Sequence, residues 1–133
     1  MKFIQNTSDI LSVLGIAGKH RSLIKDFCID SRKAKQHSVF IGLTGSNEDG
    51  SKYCDDAFSN GAVFAIIKAK KDMNANKLKD NTLGVSNPEK ALAKLAQVTL
   101  KNFTGPVIGI TGSNGKTTTK NILSAGIKNS FST

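Results

Sequence analysis

The stretch Val107-Ile108-Gly109-Ile110-Thr111-Gly112-Ser113-Asn114-Gly115-Lys116-Thr117-Thr118-Thr119 constrains what this chain can fold into more than any other. Val107 to Ile110 reads as a β-strand behind Pro106, Gly112 and Gly115 bracket a tight turn, and Ile122, Leu123 and Ile127 then recur at helical spacing. A strand that stops on glycine and restarts as a helix leaves backbone N–H groups free at the helix start, where the helix dipole adds positive potential. That is the geometry of a phosphate-binding loop. Its glycines let the backbone approach an anion, Lys116 reaches the outer phosphates, and the Thr117 hydroxyl ligates Mg²⁺. The candidate phosphate-binding set is therefore Gly112, Ser113, Asn114, Gly115, Lys116, Thr117 and Thr118, with Lys116 as the catalytic candidate and Thr117 as the metal ligand. The generic signature G-x-x-x-x-G-K-[ST] asks for glycine at position 110, where this chain has Ile110 and carries its glycine one place earlier, at Gly109. What survives is T-G-S-N-G-K-T-T-T in a strand–turn–helix context. The alternative, a glycine turn with an incidental lysine, does not account for that context.

A second run lies near the start. Ile24 to Ile29 reads as a strand that delivers Asp30, Ser31 and Arg32 in succession: an acceptor, a hydroxyl and a guanidinium fork suited to ribose or phosphate oxygens. The competing reading is a turn in which Asp30 bonds its own backbone and Arg32 is exposed. Spacing alone favours the turn.

Together the two runs resemble a known family. G-I-T-G-S-N-G-K-T-T-T resembles the ATP-binding loop of the Mur ligases, which build the peptide of bacterial cell-wall precursors. Asp30-Ser31-Arg32-Lys33, followed by Ser38-Val39-Phe40-Ile41-Gly42-Leu43 and Asp49-Gly50, resembles the amino-terminal domain of the same family. The resemblance reverses the preference at Asp30, Ser31 and Arg32: it implies that they grip the UDP part of the precursor. It also implies ATP and Mg²⁺ as cofactors and a UDP-N-acetylmuramoyl-peptide as substrate, activated as an acyl phosphate that an amine attacks. Within the family, Ser113-Asn114 and the triple threonine before Lys120 look most like the branch that adds D-alanyl-D-alanine. The branch that adds the third amino acid stays in contention. In the family a histidine usually follows Asp-Gly; here Ser51 does, so no histidine role is carried over, and His20 and His37 are expected at the surface.

Composition narrows the class. The chain has 133 residues, 38% hydrophobic and 22% charged, enough for one ordinary domain with a core. No apolar run approaches the roughly 20 residues needed to cross a bilayer, and the start offers no hydrophobic signal region, so a cytoplasmic, non-membrane protein is expected. Cys28, in a strand, and Cys54, in a helix, have no metal spacing and are expected as reduced thiols. The net charge of +9 raises nucleic-acid binding as a different class of function. The basic residues are scattered, with one Tyr, no Trp and no interleaved aromatics, so no nucleic-acid partner is expected; the excess equally favours an anionic nucleotide-sugar.

The remaining elements alternate. Thr7-Ser8-Asp9 opens a helix that Gly15 ends, Ser38 to Leu43 is a strand, and residues 44–50 are a loop. Residues 51–60 are a helix closed by Asn60-Gly61, and Ala62 to Ile67 is a buried strand. Residues 68–80 hold five lysines, two aspartates and two asparagines, which predicts a solvated loop with a weak helix. Leu83 to Val85 is a short strand, and Asn87-Pro88 starts a helix with Leu92, Leu95, Ala96, Leu100 and Phe103 on one face. The Gly105-Pro106 pair marks a boundary. The expected fold class is α/β: a UDP-precursor-binding domain over residues 1–104, then the first strand, loop and helix of a truncated P-loop ATPase domain over residues 105–133. A lone βα pair cannot form a working sheet. The chain is therefore expected to be the opening of a longer monomeric ligase, inactive as a fragment; the alternative is a stand-alone, non-catalytic module that binds a UDP-sugar or nucleotide.

Overall fold

The computed structural model describes residues 4–46, 48–70 and 75–130. They fall into two compact units, Met1–Phe103 and Thr104–Thr133. The first is a mixed α/β unit built on a five-stranded sheet. In chain order its elements are α1 (Thr7–Leu14), β1 (Asp26–Cys28), β2 (Ser38–Gly42), α2 (Cys54–Ser59), β3 (Ala62–Lys68), β4 (Lys77–Lys79), β5 (Thr82–Val85) and α3 (Pro88–Asn102). The sheet order is β1-β2-β3-β5-β4. All neighbours run parallel except β4, which pairs antiparallel with β5.

Parallel strands covered on both faces carry continuous apolar runs, and Val39 to Ile41 and Phe64 to Ile67 are such runs, buried throughout. The two faces differ in bulk. On one, Val39, Ile41, Phe64, Ile66, Leu83 and Val85 pack with Ile10 and Leu11 of α1 and Ala91 and Leu95 of α3. On the other, Phe40, Ala62 and Ala65 meet Ala34 and Ala57, with Cys28, Cys54 and Phe58 at the margin. The helices start where local chemistry permits. Asn6 accepts from the Asp9 N–H and Asp9 reaches back to the Asn6 backbone, a capping box one residue ahead of the predicted start. Asn87 caps α3 through the Lys90 N–H, with Pro88 in the first turn, as its sequence predicts.

Several expectations are corrected. The first strand is shorter than residues 24–29, because the Ile24 N–H is taken by the Gln5 carbonyl at 2.9 Å and the chain turns at Asp30. Residues 51–60 begin as a 3₁₀ turn, Gly50–Tyr53, before α2. Between residues 68 and 80 the expected weak helix is absent from the described residues, and positions 71–74 lie outside them. Instead Lys77–Lys79 forms β4, whose Leu78 packs on the core while Lys77 and Lys79 face solvent on the sheet edge. On α3 the buried residues are Pro88, Ala91 and Leu95, with Leu92 half-buried against the core; Ala96, Leu100 and, just past the helix, Phe103 are exposed.

The second unit contains α4 (Lys116–Ser130), preceded by residues 107–111, which form no strand. The apolar pattern of Val107 to Ile110 is that of a buried parallel strand. A strand exists only through its ladder partners, and no described residue pairs with this segment. Ile108, Ile110, Leu123 and Ile127 line a shallow groove, so the predicted apolar side of α4 is open. No helix among the described residues is long and apolar enough to cross a membrane.

The histidines are also not plain surface residues. His20 is half-buried: Nε2 lies 2.8 Å from Asn81 Oδ1 and Nδ1 lies 2.8 Å from Thr7 Oγ1, with Phe64 beneath the ring at 5.2 Å. Asn81 Oδ1 can only accept, so Nε2 carries the proton and Nδ1 accepts from the Thr7 hydroxyl. The ring thus ties the first turn of α1 to the β4–β5 turn. We expect His20→Ala to lower stability by about 1–3 kcal/mol, since it leaves the O–H of the fully buried Thr7 without its acceptor while the oxygen still accepts from the Ser22 N–H. Urea unfolding followed by far-ultraviolet circular dichroism measures this; an unchanged midpoint would show that the tie contributes nothing. His37 is half-buried with a backbone φ of 71°.

Candidate functional site

At the carboxyl ends of β1 and β2, where open α/β sheets bind ligands, a cavity of about 800 Å³ opens. Ile29, Phe40, Leu43, Gly45 and Gly50 supply its apolar lining, and Asp30, Ser31, Arg32, Glu48, Tyr53 and Asp56 its polar lining. Asp30 caps the 3₁₀ turn Ser31–Lys33: its Oδ1 accepts from the Arg32 N–H at 3.1 Å and from Nε at 2.9 Å, and its Oδ2 from Nη2 at 2.8 Å. The Arg32 side-chain hydrogen bond holds the Asp30 carboxyl below the usual carboxylate range, and the same bond raises the guanidinium. Arg32 is 84% exposed. The turn that spacing alone favours is therefore how this run is built, and that turn is also what sets all three residues against the cavity. Ser31 is buried, its carbonyl accepting from Asn60 Nδ2 at 3.1 Å.

The opposite wall comes from the loop after β2. Asp49 Oδ1 accepts from the Ser51 N–H at 2.9 Å, a bond that lowers the Asp49 carboxyl and starts the next 3₁₀ turn. The Gly50 N–H bonds the Leu43 carbonyl at 3.0 Å and closes the loop. At this crossing the two backbones touch: a Cβ on Gly50 would sit 2.5 Å from the Leu43 carbonyl oxygen and 2.7 Å from the Gly42 carbonyl carbon. This explains the Asp-Gly pair better than turn propensity does. Sequence reasoning missed Glu48, Tyr53 and Asp56. The Tyr53 hydroxyl donates to Glu48 Oε2 at 2.7 Å, and only the tight turn between them brings the two side chains together. Cys54 lies behind this wall; burial pushes its thiol to about 11, so it is no nucleophile at neutral pH. No group of acidic, histidine or cysteine side chains that could hold a metal occurs among the described residues.

In the second unit the structure brings Gly112, Ser113, Asn114, Gly115, Lys116, Thr117 and Thr118 into one exposed turn at the start of α4. Gly112 and Gly115 have φ of 149° and 77°, conformations that a side chain would strain. The Thr119 N–H closes on the Gly115 carbonyl at 2.9 Å, and the Lys116 ammonium donates to the Gly112 carbonyl. No acidic residue lies in the first turn of α4. This arrangement fits an anion: first-turn N–H groups without helical partners, a cation folded over the loop, and no carboxylate in that turn to repel it. The Thr117 hydroxyl is on the same turn, as a magnesium ligand beside phosphate would be.

Comparison with known proteins gives the family. Residues 24–99 match the Mur ligase family, catalytic domain. Over 128 residues the chain is 33% identical to the UDP-N-acetylmuramoyl-tripeptide--D-alanyl-D-alanine ligase of Rickettsia prowazekii, covering 96% of this chain and 28% of that protein. Over 98 residues it is 36% identical to the UDP-N-acetylmuramoyl-L-alanyl-D-glutamate--2,6-diaminopimelate ligase of Lawsonia intracellularis, covering 72% of this chain and 20% of that protein. Among solved structures, the MurF ligase of Thermotoga maritima in complex with ADP superposes with a TM-score of 0.56 at 38% identity, covering 79% of this chain and 23% of that one. The chain thus spans between a fifth and just over a quarter of the length of these two curated relatives. With the family match covering more than half of its residues, this chain belongs to the Mur ligase family.

Proposed function

We propose that this chain supplies the UDP-precursor-binding unit and the opening of the ATP-binding unit of an ATP-dependent amide ligase of peptidoglycan precursor synthesis. The ligase joins D-alanyl-D-alanine to UDP-N-acetylmuramoyl-tripeptide in the cytoplasm and acts as a monomer. The observation that carries the reading is the loop Gly112 to Lys116 at the exposed start of α4, in a member of this family. In this account residues 1–104 bind the UDP moiety, with Asp30, Ser31 and Arg32 in contact with it. Residues from 105 onward begin the ATP site. Lys116 and the backbone of Gly112, Ser113, Asn114 and Gly115 hold the phosphates, joined by the N–H groups of Thr117 and Thr118, while the Thr117 hydroxyl coordinates Mg²⁺. ATP supplies the phosphoryl group that activates the terminal carboxylate as an acyl phosphate; attack by the amine forms the amide and releases phosphate. Positioning and charge neutralisation, the tasks assigned to these residues, supply most of the catalysis in such chemistry.

A second reading has its own support. The 36% identity to a diaminopimelate-adding ligase matches the share seen with a D-alanyl-D-alanine ligase of Bacillus subtilis. The wider coverage by D-alanyl-D-alanine ligases, 96% and 97% of this chain, favours the first. An amide-ligation assay decides between them, run on the protein at the length its source cells make, as fixed by intact mass. Each acceptor is offered with its matching UDP-precursor. We expect ATP-dependent product with D-alanyl-D-alanine and at least about a hundredfold less with a diamino acid. The reverse preference would install the second reading, and no turnover with either at the native length would leave a non-catalytic binding module.

A further inference from the structure

We propose that Glu48, oriented by Tyr53, is a specificity-determining residue that accepts hydrogen bonds from the nucleoside end of the bound nucleotide and excludes the diphosphate from the cavity. The inference rests on reading this cavity as the UDP site. Tyr53 donates to Glu48 Oε2 at 2.7 Å, and that bond raises the phenol above its ordinary value, so Tyr53 remains a donor at neutral pH and one carboxylate oxygen is engaged. An ionised carboxylate accepts and cannot donate. Whatever meets the remaining lone pairs of Glu48 must bring a hydrogen. Ribose hydroxyls and the uracil N3–H bring one; an ionised diphosphate brings none and adds like charge.

The rest of the lining has the same polarity. Among the described residues around the cavity Arg32 is the sole cation, and its Nε and Nη2 are already held by Asp30 at 2.9 and 2.8 Å. Asp30, Glu48 and Asp56 leave the lining with an excess of negative charge. Its apolar surface, from the exposed Ile29 and the 41% exposed Tyr53, suits a base. Counter-charge for a diphosphate lies elsewhere: a second groove of about 580 Å³ shares Ile29, Asp30 and Arg32 with the cavity and adds Lys33 and Lys35 against Asp26. The nucleoside therefore enters the carboxylate-lined cavity, and the diphosphate crosses the Ile29–Arg32 ridge towards the lysines.

The test is a titration of the 133-residue chain with UDP and, separately, with uridine, read by nuclear magnetic resonance so that weak binding is measurable. Glu48→Gln keeps the shape and an acceptor for Tyr53 but removes the charge. We expect it to weaken both ligands by the same factor, about tenfold. Tyr53→Phe, which frees Glu48 but keeps the ring, is expected to weaken both equally by about threefold. Were Glu48 against the diphosphate, the Gln variant would bind UDP more tightly and leave uridine unchanged; that result overturns the inference while the UDP reading stands. Unchanged binding of both ligands by the Gln variant, or no uridine binding where UDP binds, overturns it as well. If the unsubstituted chain binds no UDP, the UDP reading itself fails and takes the inference with it.

Discussion

Replacing Lys116 by alanine in the native-length protein is expected to lower ATP-dependent ligation by at least about a hundredfold while leaving the fold intact. Lys116 is exposed at the first position of α4 and packs on nothing in the core, so its loss removes a charge and leaves the packing unchanged. Its ammonium donates to the Gly112 carbonyl, a neutral acceptor. A phosphate oxygen arriving at the loop offers a charged acceptor, roughly twice as strong a partner, and the side chain exchanges one for the other. The alanine variant has nothing to exchange, so the first-turn N–H groups face the phosphate charge alone. Phosphate release and amide formation measure the effect, with the circular dichroism spectrum as the control for folding. Turnover within a factor of a few of the unsubstituted protein would remove this loop from the mechanism.

The second large effect concerns stability. Gly50→Ala is expected to destabilise the first unit by about 2–4 kcal/mol, because the new methyl would lie 2.5 Å from the Leu43 carbonyl oxygen, and both neighbours it meets are backbone. Backbone held in a hydrogen-bonded crossing cannot swing aside as a flexible side chain can. The loop would have to open, carrying Glu48 and Tyr53 away from Asp30 and Arg32 and weakening any ligand in the cavity. Gly45→Ala is the matched control: its nearest neighbour would be the Glu48 carbonyl oxygen at 3.5 Å, an ordinary contact, so about 0.5 kcal/mol or less is expected. Urea denaturation of the two variants side by side reads the difference, and equal midpoints would show that the Gly42–Gly50 crossing is not rigid.

Where local chemistry decides, the sequence was readable. The strands β2, β3 and β5, the Asn87-Pro88 start of α3 and the glycine turn before α4 follow from apolar runs, capping and positive φ, all properties of neighbouring residues. Where the outcome rests on a partner distant in sequence, the reading was wrong or incomplete. β4 is three residues long and rich in lysine, so it resembles solvated loop until β5 folds back across Asp80-Asn81 to pair with it. The Asp80-Asn81 pair was the available signal, since Asp and Asn suit a tight turn, and Asp80 does take a φ of 51° there. Ile24 was lost to β1 because Gln5 claims its N–H. Val107 to Ile110 carried a strand's pattern without a strand's neighbours. At the cavity, Asp30, Ser31 and Arg32 could be named because they are contiguous, whereas Glu48, Tyr53 and Asp56 converge only through a 3₁₀ turn that no periodicity announces.

The thin side of the sheet has a consequence for the cavity's width. Beneath α2, beside the ring of Phe40, the contacts include the methyl groups of Ala57, Ala62 and Ala65, with Ala57 and Ala65 wholly buried. Such small side chains act as a spacer of minimum thickness, letting α2 lie close on the strands and keeping Asp56, in its first turn, level with the cavity wall. Each added carbon at that contact would raise the helix and move one edge of the cavity while Asp30 and Arg32, fixed by their own turn, stayed in place. The clearance offered to a ligand is thus set from behind, by residues that never meet it.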